Sequence, residues 1–128
     1  MSEMCNDKEF RKTLESLDPA QQREVAAMFV AHVVSLSDDK RLDRVLKIAA
    51  DAEATDEELA AALKTAHAVT FDSHARCGAD CHWSDQAGYF VARSAVAAVT
   101  PMALSRTGGP AWQAAMSARM AHTTSLID

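Results

Sequence analysis

Residues 67–83 read His-Ala-Val-Thr-Phe-Asp-Ser-His-Ala-Arg-Cys-Gly-Ala-Asp-Cys-His-Trp. They hold three of the chain's five histidines and two of its three cysteines. Imidazole nitrogen and thiolate sulfur are donors that zinc prefers. A thiolate can also attack a carbonyl or be oxidised. On one straight helix, His67, His74, Cys77, Cys81 and Asp85 would share an arc of about 80°. The rise per residue defeats that arrangement. His67 and Cys81 would stand about 21 Å apart along the axis, and His74 and Cys81 about 10.5 Å. Zinc needs its ligands at ~2.0–2.3 Å.

Gly78 offers another geometry. Glycine suits the left-handed position just past a helix end. A break there puts Cys77, Cys81 and His82 on a turn, with His74 one helical turn earlier. His74, Cys77, Cys81 and His82 are thus the candidate metal ligands, and zinc is the ion their donors suit. Three other readings use the same residues. Cys77 and Cys81 could form a reversible disulfide across one helical turn. A cysteine nucleophile could act with a histidine base oriented by Asp72 or Asp85, but the sequence offers no oxyanion hole or hydrolase signature. The plainest reading packs the cysteines as small hydrophobes and the histidines at a core edge, with no cofactor.

The elements around this stretch are helical, since apolar residues recur at 3.6-residue spacing and no segment alternates. The first helix is expected over 6–16, with Phe10 and Leu14 on one face. Asp18-Pro19-Ala-Gln21 predicts a capped second start. Val25, Phe29, Val33 and Leu36 should face in, with Met28 and His32 on the flank. Ser37 or Asp38 should open a third helix with Leu42, Val45, Leu46 and Ala49 as its stripe. Thr55-Asp-Glu-Glu58 is a capping box. Leu59, Ala62, Leu63, Ala66, Thr70 and Phe71 should then line the fourth helix. Ser84 should cap a fifth over 85–100, with Tyr89, Ala92, Val96 and Val99 inward and Pro101 ending it. After Gly108-Gly109, read as a plain turn, Pro110 should begin a sixth to about Thr123, with Trp112, Ala115, Met116 and Met120 on one face. The fold class is all-α: a compact bundle of five or six helices forming a single domain over 1–128, with 1–17 as a peripheral N-terminal helix.

Charge is uneven along the 128 residues. Residues 1–64 carry 9 Lys/Arg and 14 Asp/Glu; residues 65–128 carry 4 Arg and 4 Asp. A half so poor in charge is either central in the fold or covers a protein partner or a second copy. Arg76, Arg93 and Arg119 each sit in a small, apolar setting. Each must lay its stem on apolar surface with its head in water, or pair with a carboxylate such as Asp72, Asp80 or Asp85.

A net charge of −5 argues against binding the nucleic-acid backbone. Apolar runs fall far short of the ~20 residues that span a bilayer. The polar start Met-Ser-Glu-Met-Cys-Asn-Asp-Lys predicts a chain without an export signal, in the cytoplasm, with its cysteines as reduced thiols.

In the strings Ala-Leu-Lys-Thr-Ala-His67, Ala92-Arg93-Ser-Ala-Val-Ala-Ala-Val99 and Trp112-Gln-Ala-Ala-Met-Ser-Ala118-Arg119-Met-Ala the chain resembles small all-helical bacterial immunity proteins of polymorphic-toxin systems. The resemblance covers about half the chain. The resemblance implies a non-enzymatic protein that neutralises a partner toxin, with no catalytic residues to carry over. The leading expectation is therefore a cytosolic protein-interaction domain that binds through its C-terminal helices. The alternative is a metal- or thiol-redox-responsive domain using the turn at 74–82.

Overall fold

A computed structural model describes residues 7–77, 83–105 and 108–126. It is an all-α bundle: α1 (Asp7–Glu15), α2 (Pro19–Val33), α3 (Arg41–Ala50), α4 (Asp56–Cys77), α5 (Trp83–Val99) and α6 (Gly109–Ser125). Two short 3₁₀ turns intervene, η1 (Val34–Leu36) and η2 (Met102–Leu104).

The two strongest local start signals form as the sequence predicts. Asp18 Oδ1 accepts the Gln21 N–H at 2.8 Å, and Gln21 Oε1 accepts the Asp18 N–H at 3.2 Å. Thr55 Oγ1 accepts the Glu58 N–H at 3.1 Å, and Glu58 Oε1 accepts the Thr55 N–H at 2.9 Å. Each box satisfies donors that the first helical turn leaves without partners. The third start differs from expectation. Ser37 and Asp38 do not open α3. Ser37 Oγ accepts the Asp39 N–H, and Asp39 Oδ1 accepts the Arg41 N–H at 3.0 Å, so the chain turns twice before the helix begins at Arg41. α5 begins at Trp83, ahead of the expected Ser84 cap.

α5 is the central helix and packs against α2, α3, α4 and α6. Ala87, Val91, Ala92, Ser94, Ala95 and Ala98 are all at most 1% exposed. Its position accounts for much of the charge depletion in the second half. Alanine forms the contact with α6, where Ala111, Ala114, Ala115, Ala118 and Ala121 are buried. Small residues let two helices approach closely. At this seam the buried Ser94 hydroxyl donates to the Ala114 carbonyl at 2.8 Å.

The alanine core moves several larger side chains outward from where the sequence places them. Phe71 is 66% exposed, because Ala62, Ala66, Val69 and Ser73 set the buried stripe of α4 and Phe71 points about 200° from Val69. Met120 is 45% exposed for the same reason on α6. On α2 the buried stripe is Gln22, Ala26, Ala27, Val30 and Val33, while Val25 and Phe29 are only half-buried. Leu36 lies in η1, half-buried. α3 keeps its expected stripe of Leu42, Val45 and Ala49, with Leu46 half-buried.

Two arginines tie elements together. Arg23 donates to the Ala49 and Asp51 carbonyls at 3.2 and 2.8 Å and so caps the end of α3. Arg41 joins α3 to α4 through Asp39 at 2.6 Å and Asp72 at 2.9 Å. The Asp39 carboxylate first, then Asp72, pushes the Arg41 guanidinium further above its ordinary range. α1 rests on α6 through buried Leu14 and half-buried Phe10, whose ring lies 6.0 Å from Trp112 and 6.1 Å from Phe29.

Candidate functional site

Every residue of α5 from Ala87 to Val99 is buried except Tyr89, Phe90, Arg93, Val96 and Ala97. With Thr100 just beyond the helix, Tyr89, Arg93, Val96 and Ala97 fall within an arc of about 100°. α5 therefore opens to solvent along one stripe. α4 supplies a facing row at the same period, Leu63, His67, Thr70 and His74. α6 supplies Gln113, Ser117 and Met120 on the other side. Leu63, His67, Thr70, Arg93, Gln113 and Ser117 are among the residues that enclose a cavity of about 350 Å³ between the three helices. Its volume lies near the lower end of the ~300–1,000 Å³ usual for ligand sites.

Among the described residues, Arg93 is the only one with a permanent charge that lines this cavity. It is half-buried and makes no ion pair with any described residue. Its guanidinium carbon stands 5.8 Å from the centre of the Tyr89 ring. Tyr89 in turn lies 5.6 Å from the His74 ring and 5.3 Å from Phe90. Of the carboxylates that could pair with an arginine of this group, Asp72 is engaged by Arg41, and Asp80 and the Asp85 side chain lie outside the described residues. Arg119, on the exposed side of α6, has a partner of its own. The side chain of Arg76 lies outside the described residues.

Beyond Leu104 the surface opens into an apolar groove of about 730 Å³, lined by Leu59, Val99, Pro101, Met102 and Pro110 among others. The cavity and the groove share Leu63, Thr100 and Leu104. Leu104 is 74% exposed and Met102 39% exposed. The charges at the groove wall are Arg23, whose head is bound to the end of α3, and Asp56.

Of the predicted ligands His74, Cys77, Cys81 and His82, His74 alone has a described side chain; it is exposed and packs on Tyr89. His67, which the helical rise already removes from that set, lines the cavity over α5. α4 runs to Cys77, one residue short of Gly78. The Cys77 side chain and residues Cys81 and His82 lie outside the described residues, as do the side chains of Ser84 and Asp85. Among the described residues no group of three or more His, Cys, Asp or Glu is placed to hold a metal. His32 and His122, isolated in sequence, line one cleft of about 280 Å³ between α1, α2 and α6. No helix of the described residues is long and apolar enough to cross a membrane.

The Gly108-Gly109 pair serves the fold. Both residues have positive φ, 94° and 84°. A Cβ on Gly108 would overlap Trp112, and one on Gly109 would press on Gln22 Oε1 at 3.3 Å. Arg93 was legible as a charge in apolar surroundings. The cavity above it was not, since its walls come from three helices. No protein-family model, curated protein or solved structure matches the chain.

Proposed function

We propose that this chain is a non-catalytic protein-interaction domain. It seats a segment of a partner protein along the α4–α5–α6 cavity and the apolar groove beyond η2. The observation that carries this reading is Leu104. It is 74% exposed at the boundary between the two depressions, within the charge-poor half of the chain. Exposed apolar side chains rimming a groove mark association surfaces. Among the described residues the cavity's charge is the cation Arg93, which favours a partner segment that is apolar and acidic. The C-terminal strings that resemble immunity proteins make a toxin the partner class to seek.

Site-specific photo-crosslinking in the cells of origin tests the reading. A benzoylphenylalanine in place of Leu104 should give one predominant adduct with another protein. The same group in place of Met28, which is 66% exposed but lines neither depression, should not. Equal labelling from both positions, no adduct from position 104, or adducts only with a second copy of this chain would overturn the proposal.

A further inference from the structure

We infer that Arg93 anchors a carboxylate, and that the segment bound in the groove lays a Glu or Asp side chain over it; this rests on the groove being a partner site. Arginine carries five N–H donors, no acceptor and a permanent charge. In this cavity it has a ring face beside it and no carboxylate among the described residues. A ring face attracts a cation but neutralises no charge. Side chains around it are also unspent: those of His67, Ser105 and Ser117 line the cavity and form no side-chain hydrogen bond with the described residues. The Thr70 and Thr100 hydroxyls donate back to Ala66 and Val96, so they add no free donor. Hydroxyl and imidazole donors beside a guanidinium fork can satisfy both oxygens of a carboxylate. Leu63, Val96 and Ala97 supply an apolar wall for the attached methylenes. The charge among the described residues favours the anion: one guanidinium balances one negative charge, whereas a phosphate monoester brings nearly two and is usually met by several cations.

Butyrate and butyramide reproduce the ends of Glu and Gln side chains and serve as probes. In NMR titrations of the full chain, butyrate should shift the Arg93 side-chain N–H and the Ser117 amide saturably. Butyramide should bind at least about tenfold more weakly, the size expected of a charge-assisted pair. Arg93→Gln should abolish the difference, and Arg93→Lys should keep part of it. Equal shifts from the two probes on the unaltered chain, or no saturable shift, would overturn the anchor whatever the variants do.

A second arm uses the peptides acetyl-Ala-Leu-Glu-Leu-Ala-amide and its Gln counterpart. If the Glu peptide binds more tightly than butyrate and also moves the Met102 and Leu104 methyl signals, the carboxylate comes from a protein segment, as inferred. If butyrate binds as well and the methyl signals stay still, the anchor survives as a site for a free acid and the partner-segment reading falls. If both peptides move the methyl signals equally, the groove survives as a docking site and the anchor falls.

Discussion

The side-chain carbonyl of Gln22 accepts the backbone N–H of Ala111 at 2.9 Å, joining α2 to the first turn of α6 across 89 positions of sequence. The same amide donates to the Leu14 carbonyl at the end of α1, at 2.5 Å. Gln22 is fully buried, and no buried side-chain polar atom among the described residues lacks a partner. One amide therefore closes three helix ends. Gln22→Met keeps the volume but leaves the buried Ala111 N–H unpaired, while the Leu14 carbonyl keeps the Leu17 N–H. It should cost about 1–3 kcal/mol, the range for one group left unsatisfied. Urea unfolding measures this, and a loss below about 0.5 kcal/mol would mean that the clamp is not formed.

Two glycines should respond in opposite senses to alanine. Gly108→Ala imposes a side chain on a φ of 94° and drives it into Trp112, and it should destabilise by about 2 kcal/mol or more. At Gly88, inside α5, the nearest atom to an added Cβ is Ser37 Oγ at 3.8 Å, an ordinary contact. Gly88→Ala should stabilise by about 0.4–1 kcal/mol, through a less flexible unfolded chain. Thermal melts of the two variants check the contrast.

The capping boxes set a third expectation. Asp18→Ala and Thr55→Ala each remove the acceptor of a helix N-terminus and should cost about 1 kcal/mol. The sites lie on different helices and share no hydrogen-bond partner, so the double variant should lose the sum, measured by urea unfolding. A double loss well above the sum would show coupling that the hydrogen bonds do not contain.

Those boxes were legible because their partners lie three residues apart. Gln22 was not, because nothing near it in sequence announces Leu14 or Ala111. The core departs from apolar size in one consistent way: large side chains such as Phe71 and Met120 lie outside, and alanines occupy the interior of their helices. Apolar size is a fair guide where helices are held apart by bulky contacts, and it fails where they approach on alanine. The candidate site shows a similar division. Arg93 stood out as a charge among small residues, but its cavity depends on how α4 and α6 flank α5. The His/Cys cluster drew attention because its chemistry is compressed into 17 positions, whereas the depressions on the described surface draw residues from across the chain.

The exposed position of Leu104 separates binding from folding. Leu104→Asp should leave the urea midpoint nearly unchanged, because the side chain is 74% exposed and changes to exposed residues usually stay within about 0.5 kcal/mol. Its effect should fall on the partner surface alone.

Calorimetric titration of the protein crosslinked through position 104 against three forms of this chain tests the central claim most directly. The unaltered chain and Met28→Asp should bind it with the same affinity, and Leu104→Asp should bind at least about tenfold more weakly while remaining folded, as expected for a residue central to an interface. Equal affinity for Leu104→Asp and the unaltered chain would contradict the account.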